Sequence, residues 1–111
     1  MPIVIDAEVP DEAFSGGATY KTLVGGQAGQ SPVTIGIQTC PPGYRTALHS
    51  HPYQEVIMVM AGEGEAWTSE AGETAALQPG VTLVLPAGVK HWFRATGSAP
   101  LKIYGIHASP K

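Results

Sequence analysis

Apolar and polar side chains alternate along this chain in short runs, and most runs end at glycine or proline. Val33, Ile35 and Ile37 alternate with Thr34, Gly36 and Gln38, reaching Cys40 just before Pro41-Pro42-Gly43. A period of two marks a half-buried β-strand. On this pattern strands are predicted at Tyr20–Val24, Val33–Cys40, Ala47–His51, Glu55–Met60, Glu65–Ser69, Glu73–Leu77, Val81–Leu85, Lys90–Ala95 and Leu101–His107. Glu70-Ala71-Gly72 reads as the turn of a hairpin between the fifth and sixth of these. Their even spacing is that of a β-sandwich or barrel. Residues 1–19 hold Pro2, Pro10 and Gly16-Gly17 and alternate poorly, so they read as an irregular arm or an edge strand, packed on the chain itself or on a partner subunit.

Composition narrows this further. Of 111 residues 14 are Gly and 10 are Pro, and the longest stretch free of both, Tyr53–Ala61, is nine residues. A mean α-helix is about 11–12 residues, so helix bundles, coiled coils and doubly wound folds are excluded. The 43% of hydrophobic residues suffices for one core, and residues 1–111 read as a single domain. Charged residues are only 14%, against about 25% in an ordinary domain. So sparse a charge leaves a surface open to self-association, which favours a homodimer; a surface rich in Thr, Ser and Gln would explain it equally.

Net charge is −3 and basic residues never cluster, so no nucleic-acid partner is expected. The longest apolar run, Val56–Ala61, is six residues, and no membrane partner is expected. No basic residue precedes Lys21, unlike a signal peptide, and a single cysteine permits no internal disulfide. A cytoplasmic location is the expectation.

The chemistry concentrates at the histidines. Two of the four, His49 and His51, are spaced i, i+2, which on a strand puts both imidazoles on one face. Pro52-Tyr53-Gln54 then makes a short turn, and Glu55 opens the next strand beside them. His91 begins another strand after Pro86-Ala87-Gly88. A lone strand histidine is ordinarily a core or surface residue, and Glu55 alone could be a solvated strand start. Joint spacing favours a metal corner of imidazoles and carboxylate. The first segment runs Gly43, five residues, His49, one, His51, three, Glu55, six, Gly62; the second runs Gly80, five, Pro86, one, Gly88, two, His91.

These two segments, at 43–62 and 80–95, resemble the two motifs of the cupin superfamily, separated here by 17 residues as in small single-domain members. Ala95 stands where the second motif usually ends in Asn, which removes a side-chain hydrogen bond but no ligand. The resemblance implies an all-β double-stranded β-helix, a jelly-roll barrel, with a metal inside its mouth. It carries over His49, His51, Glu55 and His91 as ligands. Gly43, Gly62, Gly80 and Gly88 suit turns needing φ > 0, and Pro86 stiffens the turn that presents His91.

Three imidazoles and one carboxylate suit one divalent ion of Fe, Mn, Ni, Cu or Zn. Four protein ligands leave coordination positions open, which argues against a purely structural metal. Strand parity puts Ile57 and Val59 inward with Glu55, and Phe93 and Ala95 inward with His91. Val56, Met58 and Met60 then form an outer face, with Trp92 and Arg94 also outside, and read as packing or a subunit interface. Gln38 and Cys40 share one parity and face either the lumen or the outer layer. Candidate substrate contacts are therefore Gln38, Cys40, Ile57, Val59 and Phe93. Cys40 reads first as a small buried hydrophobe, Gln54 as an exposed turn residue, and Tyr44 and Arg45 as solvated loop residues beside the mouth.

Function divides into two classes. One is a metal-dependent enzyme on a small organic molecule, with dioxygenase-type oxygen chemistry first and a Lewis-acid isomerase or lyase second. The inward set offers no clear general base, Tyr53 and His107 being the reachable catalytic candidates, and His107 reading first as a surface residue. Metal-bound hydroxide is the third candidate, and that lack tilts the balance toward oxygen chemistry or metal-bound-water chemistry. The other class is a non-catalytic module that binds or senses a small ligand through its metal.

Overall fold

A computed structural model describes residues 3–26 and 31–109. Nine strands form: β1 (Glu12–Ala13), β2 (Thr19–Val24), β3 (Thr34–Cys40), β4 (Glu55–Ala61), β5 (Gly64–Thr68), β6 (Thr74–Leu77), β7 (Thr82–Leu85), β8 (His91–Ala95) and β9 (Leu101–His107). All ladders are antiparallel. Six strands make one sheet in the order β1-β2-β3-β9-β4-β7, and three make the other as β6-β5-β8. The fold is the expected jelly roll. The hairpin at Glu70-Ala71-Gly72 is present, with Trp67 opposite Thr74, and the four motif glycines all have positive φ, between 80° and 91°.

The segment predicted as a strand at Ala47–His51 is a correction. No ladder forms there; Arg45 and His49 make isolated bridges to Arg94 and His91. Pro41, Pro42 and Pro52 bracket the segment and lack N–H donors. The Thr46 hydroxyl also accepts the Phe93 N–H at 3.0 Å, where a strand would present a carbonyl. Two hydrogen bonds remain at the far end, His91 N–H to the His49 carbonyl at 2.8 Å and His49 N–H to the His91 carbonyl at 3.1 Å.

The N-terminal stretch combines both expected forms. β1 is a two-residue edge strand on β2, flanked by 3₁₀ turns at Asp6–Glu8 and Ser15–Gly17. Asp6 straps it to the outer face: its carboxylate accepts the Tyr104 hydroxyl at 2.7 Å and its carbonyl accepts Lys21 Nζ at 3.0 Å. Lys21 and Tyr104 are the cross-strand neighbours of Ile37. The strap runs past both, and Ile37 is buried although its parity points it outward.

Between the sheets lies a core that includes Cys40, Val59, Leu77, Leu85, Phe93, Leu101 and Ile103. On β4, Glu55, Ile57 and Val59 are buried and Met58 is exposed, as parity requires. No helix among the described residues is long and apolar enough to cross a membrane. Leu101 is fully buried. Leu101→Ala should cost about 2–5 kcal/mol, read as a lower urea midpoint. Burial pushes the Cys40 thiol up to about 12. At pH 8 it should ignore a disulfide reagent in the folded protein and react with one equivalent once urea unfolds the chain.

Candidate metal centre and its cavity

The four expected ligands meet at the mouth of the barrel. One ligand atom from each of His49, His51, Glu55 and His91 lies within 4.8 Å of the others. Each arrives by a different local device. His49 is clasped to His91 by the reciprocal backbone pair just described. The His51 carbonyl accepts the Gly88 N–H at 2.8 Å, which ties the first motif to the turn of the second. Glu55 heads β4, its backbone paired with Leu85 on one side and His107 on the other.

The ring nitrogens test whether a metal fits. His49 Nδ1 donates to the Ala47 carbonyl at 2.6 Å, and His91 Nδ1 to the Val89 carbonyl at 2.9 Å. A carbonyl can only accept, so in each neutral ring the proton sits on Nδ1 and Nε2 keeps its lone pair. Among the described residues His91 Nε2 is the buried side-chain nitrogen or oxygen left without a hydrogen bond. It lies 3.5 Å from Glu55 Oε1, with no hydrogen bond formed between them. A buried lone pair aimed at a carboxylate and two more imidazoles is costly unless a cation sits among them. The residues fit a divalent metal held by three imidazoles and one carboxylate.

Charge supports the same arrangement. Burial pushes the Glu55 carboxyl up, but His91, His107 and His51 around it outweigh that and hold it below its ordinary value, so it stays ionised. Burial is the main force on His51 and lowers it, leaving its imidazole neutral and free to bind.

His107, read first as a surface residue, belongs to the site. It ends β9 directly opposite Glu55, with Nε2 3.4 Å from Glu55 Oε2 and Nδ1 3.1 Å from the Tyr53 hydroxyl. The Tyr53 ring stacks on His51 at 5.0 Å between centroids and 9° between planes. Glu55 is thus divided, one oxygen toward His51 and His91 and the other toward His107. Burial and Glu55 together raise Tyr53, which keeps its hydroxyl protonated at neutral pH.

A cavity of about 480 Å³ opens over this floor, and all four histidines line it. Gln38, Ile57 and Phe93 line it as expected. Two expected substrate contacts do not. Cys40 pairs with Leu101 at the end of β3, and Val59 lies deeper on β4 beside Val81; both are core residues outside the cavity wall. Tyr44 and Arg45 also line it, and Tyr44 is buried rather than solvated, its hydroxyl accepting the Gln38 amide at 3.1 Å. Gln54 is exposed, as a turn residue should be. Further lining residues were not expected, Tyr20, Phe14, Leu83 and Ile103 among them, and Trp92, placed outside by strand parity, lines the cavity as well. The signal for Tyr20 was its inward parity on β2, visible only once the register to Gln38 was known.

An all-β barrel with three imidazoles and a carboxylate at its mouth defines a class of metal-centred jelly rolls. The chain belongs to the cupin family: the model of the cupin domain matches residues 36–107. Protein SchB of Streptomyces halstedii is 31% identical over 109 residues, 97% of this chain and 77% of that one. An (R)-mandelonitrile lyase of Granulicella tundricola is 40% identical over 62 residues, 56% of this chain and 44% of that one. Among solved structures, KdgF from Halomonas sp. superposes with a TM-score of 0.82 at 20% identity, covering 99% of this chain and 95% of that one.

His91→Ala should weaken binding of Co(II) or Zn(II) at least about tenfold while leaving a β-rich circular dichroism spectrum. Outright unfolding would instead assign the metal a structural role.

Proposed function

We propose that this protein is a metal-dependent enzyme that moves a proton on a small organic molecule, in the manner of a lyase or isomerase. The observation that carries this reading is the chain Tyr53 hydroxyl–His107–Glu55 beside the four-ligand cluster. With Nε2 turned toward Glu55 Oε2 at 3.4 Å, we assign the His107 hydrogen to Nε2, which leaves Nδ1 to accept from Tyr53. The metal, when bound, supplies Lewis-acid polarisation of a ligand oxygen. The residues supply the rest. The Tyr53 oxygen takes a proton from the carbon next to the polarised group while its own proton passes to His107 Nδ1. The resulting imidazolium is stabilised by Glu55, and the proton returns by the same route.

The preference for oxygen chemistry rested on the lack of a general base in the inward set. With Tyr53 and His107 in the cavity that reason falls away. The 40% identity to a lyase supports the non-redox reading. Dioxygenase-type chemistry, which open coordination positions would also serve, is the competitor, and a ligand-sensing module without turnover is the third outcome.

The test uses 2-hydroxyacetophenone in D₂O under nitrogen, followed by NMR. Protein loaded with Zn(II), Mn(II) or Ni(II) should exchange the proton next to the carbonyl. His107→Ala and Tyr53→Phe should each slow exchange roughly 10²-fold or more with metal content unchanged. No exchange, together with oxygen uptake by Fe(II)-loaded protein on catechols, thiols or 1,3-diketones, would establish the oxygen reading instead. Neither activity, with metal bound, would leave the sensing module.

A further inference from the structure

Six of the chain's eight aromatic residues line one cavity: Phe14, Tyr20, Tyr44, Tyr53, Trp92 and Phe93. They come from five separate stretches of chain, so local sequence does not explain their convergence. Aromatic side chains dominate core packing, yet here they surround a space large enough for a small molecule.

Two of them are held in ways that core packing does not require. Tyr20 reaches inward from β2 across the backbone of β3 at Gly36, and a Cβ at Gly36 would collide with the Tyr20 ring and hydroxyl. Gly36 faces Gly105 on β9, and Gly105 faces Ile57 on β4. The middle of the sheet thus lacks side chains on two adjacent strands, and the bare backbone forms a flat bed for a ring. Phe14 then stacks on Tyr20 at 5.8 Å between centroids and 28° between planes. Phe14 lines the cavity yet stays 48% exposed. An aromatic ring fixed at a cavity mouth with half its surface in water is a contact without its partner.

We infer that the cavity selects a flat, conjugated ring system, a phenol or aryl ketone in chemical class, which continues the Phe14–Tyr20 stack. The inference rests on the proposed metal centre only for the oxygen end of that ligand, which faces the histidines. The ring end is recognised by the aromatic wall alone. Saturation of the ligand's ring destroys planarity and removes the stacking gain while leaving its hydroxyl and approximate size in place.

Binding of 2-naphthol and of its saturated counterpart decahydro-2-naphthol to the full chain is measured by calorimetry, metal-free and with Co(II). The planar alcohol should bind at least roughly tenfold tighter in both states. Tyr20→Leu should cut that ratio below about threefold with Co(II) binding unchanged, and Gly36→Ala should do the same by displacing Tyr20. Phe14→Ala, at an exposed site, repeats the test should either of those variants fold poorly. Equal affinity for the two alcohols, a ratio that survives Tyr20→Leu and Phe14→Ala, or no binding of either at millimolar concentration would overturn the inference. A protein that takes up no Co(II) yet keeps the ratio would overturn the metal reading and leave this one standing.

Discussion

Two of the four ligands at the mouth of this barrel are set against each other by the pair of backbone hydrogen bonds between His49 and His91. The segment from Pro41 to Pro52 forms no continuous ladder, yet it is pinned along β8 by Gly43 N–H to the Ala95 carbonyl, Ala95 N–H to the Tyr44 carbonyl and Thr46 N–H to the Phe93 carbonyl, and the His49–His91 pair completes that attachment at the ligand end. The reciprocal clasp fixes two ligands against each other through main chain, leaving their side chains free to turn Nδ1 toward nearby carbonyls and Nε2 toward the centre. A metal site assembled this way does not ask the ion to organise the loop. The ordering is already done by the fold, so binding energy is kept for the ion itself.

Glu55 is the second organising group, because its two oxygens serve different neighbours. One completes the cluster and the other faces His107, whose second nitrogen holds Tyr53. Metal ligation and proton handling therefore share one carboxylate. Above them the wall is aromatic, and the sheet behind Tyr20 is stripped to glycine so that the ring can lie against it. The histidines and Glu55 gather at the floor, and the rest of the lining is mainly apolar, with Gln38, Arg45 and Thr46 among its polar members.

Much of this was legible along the chain, and the reasons are local. His49, His51 and Glu55 lie within seven residues, so strand parity and one turn suffice to bring them together. His91 followed from the spacing of Gly80, Pro86 and Gly88. The hairpin after Ser69 and the inward set on β4 followed from alternation. His107 could not be placed this way, because only the antiparallel register of β9 with β4 sets it opposite a residue 52 positions earlier. Tyr20 escaped for the same reason on β2. Ala47–His51 misled because its alternation is genuine while its donors and acceptors are not: proline and a threonine hydroxyl interrupt the ladder that the apolar pattern implies.

The register of β9 carries one more consequence. Slipping that strand by a single residue would bring Ile106 opposite Glu55 in place of His107 and turn every side chain on the strand to the other face. An ionised carboxylate would then face a branched alkyl group, and Gly105 would no longer keep the sheet bare beside Gly36. The misregistered barrel would leave one oxygen of a buried carboxylate without its partner and lose the bed on which Tyr20 rests. The groups that make the site reactive thus also penalise the nearest wrong fold, and the chemistry of the mouth acts as a check on how the strands were paired.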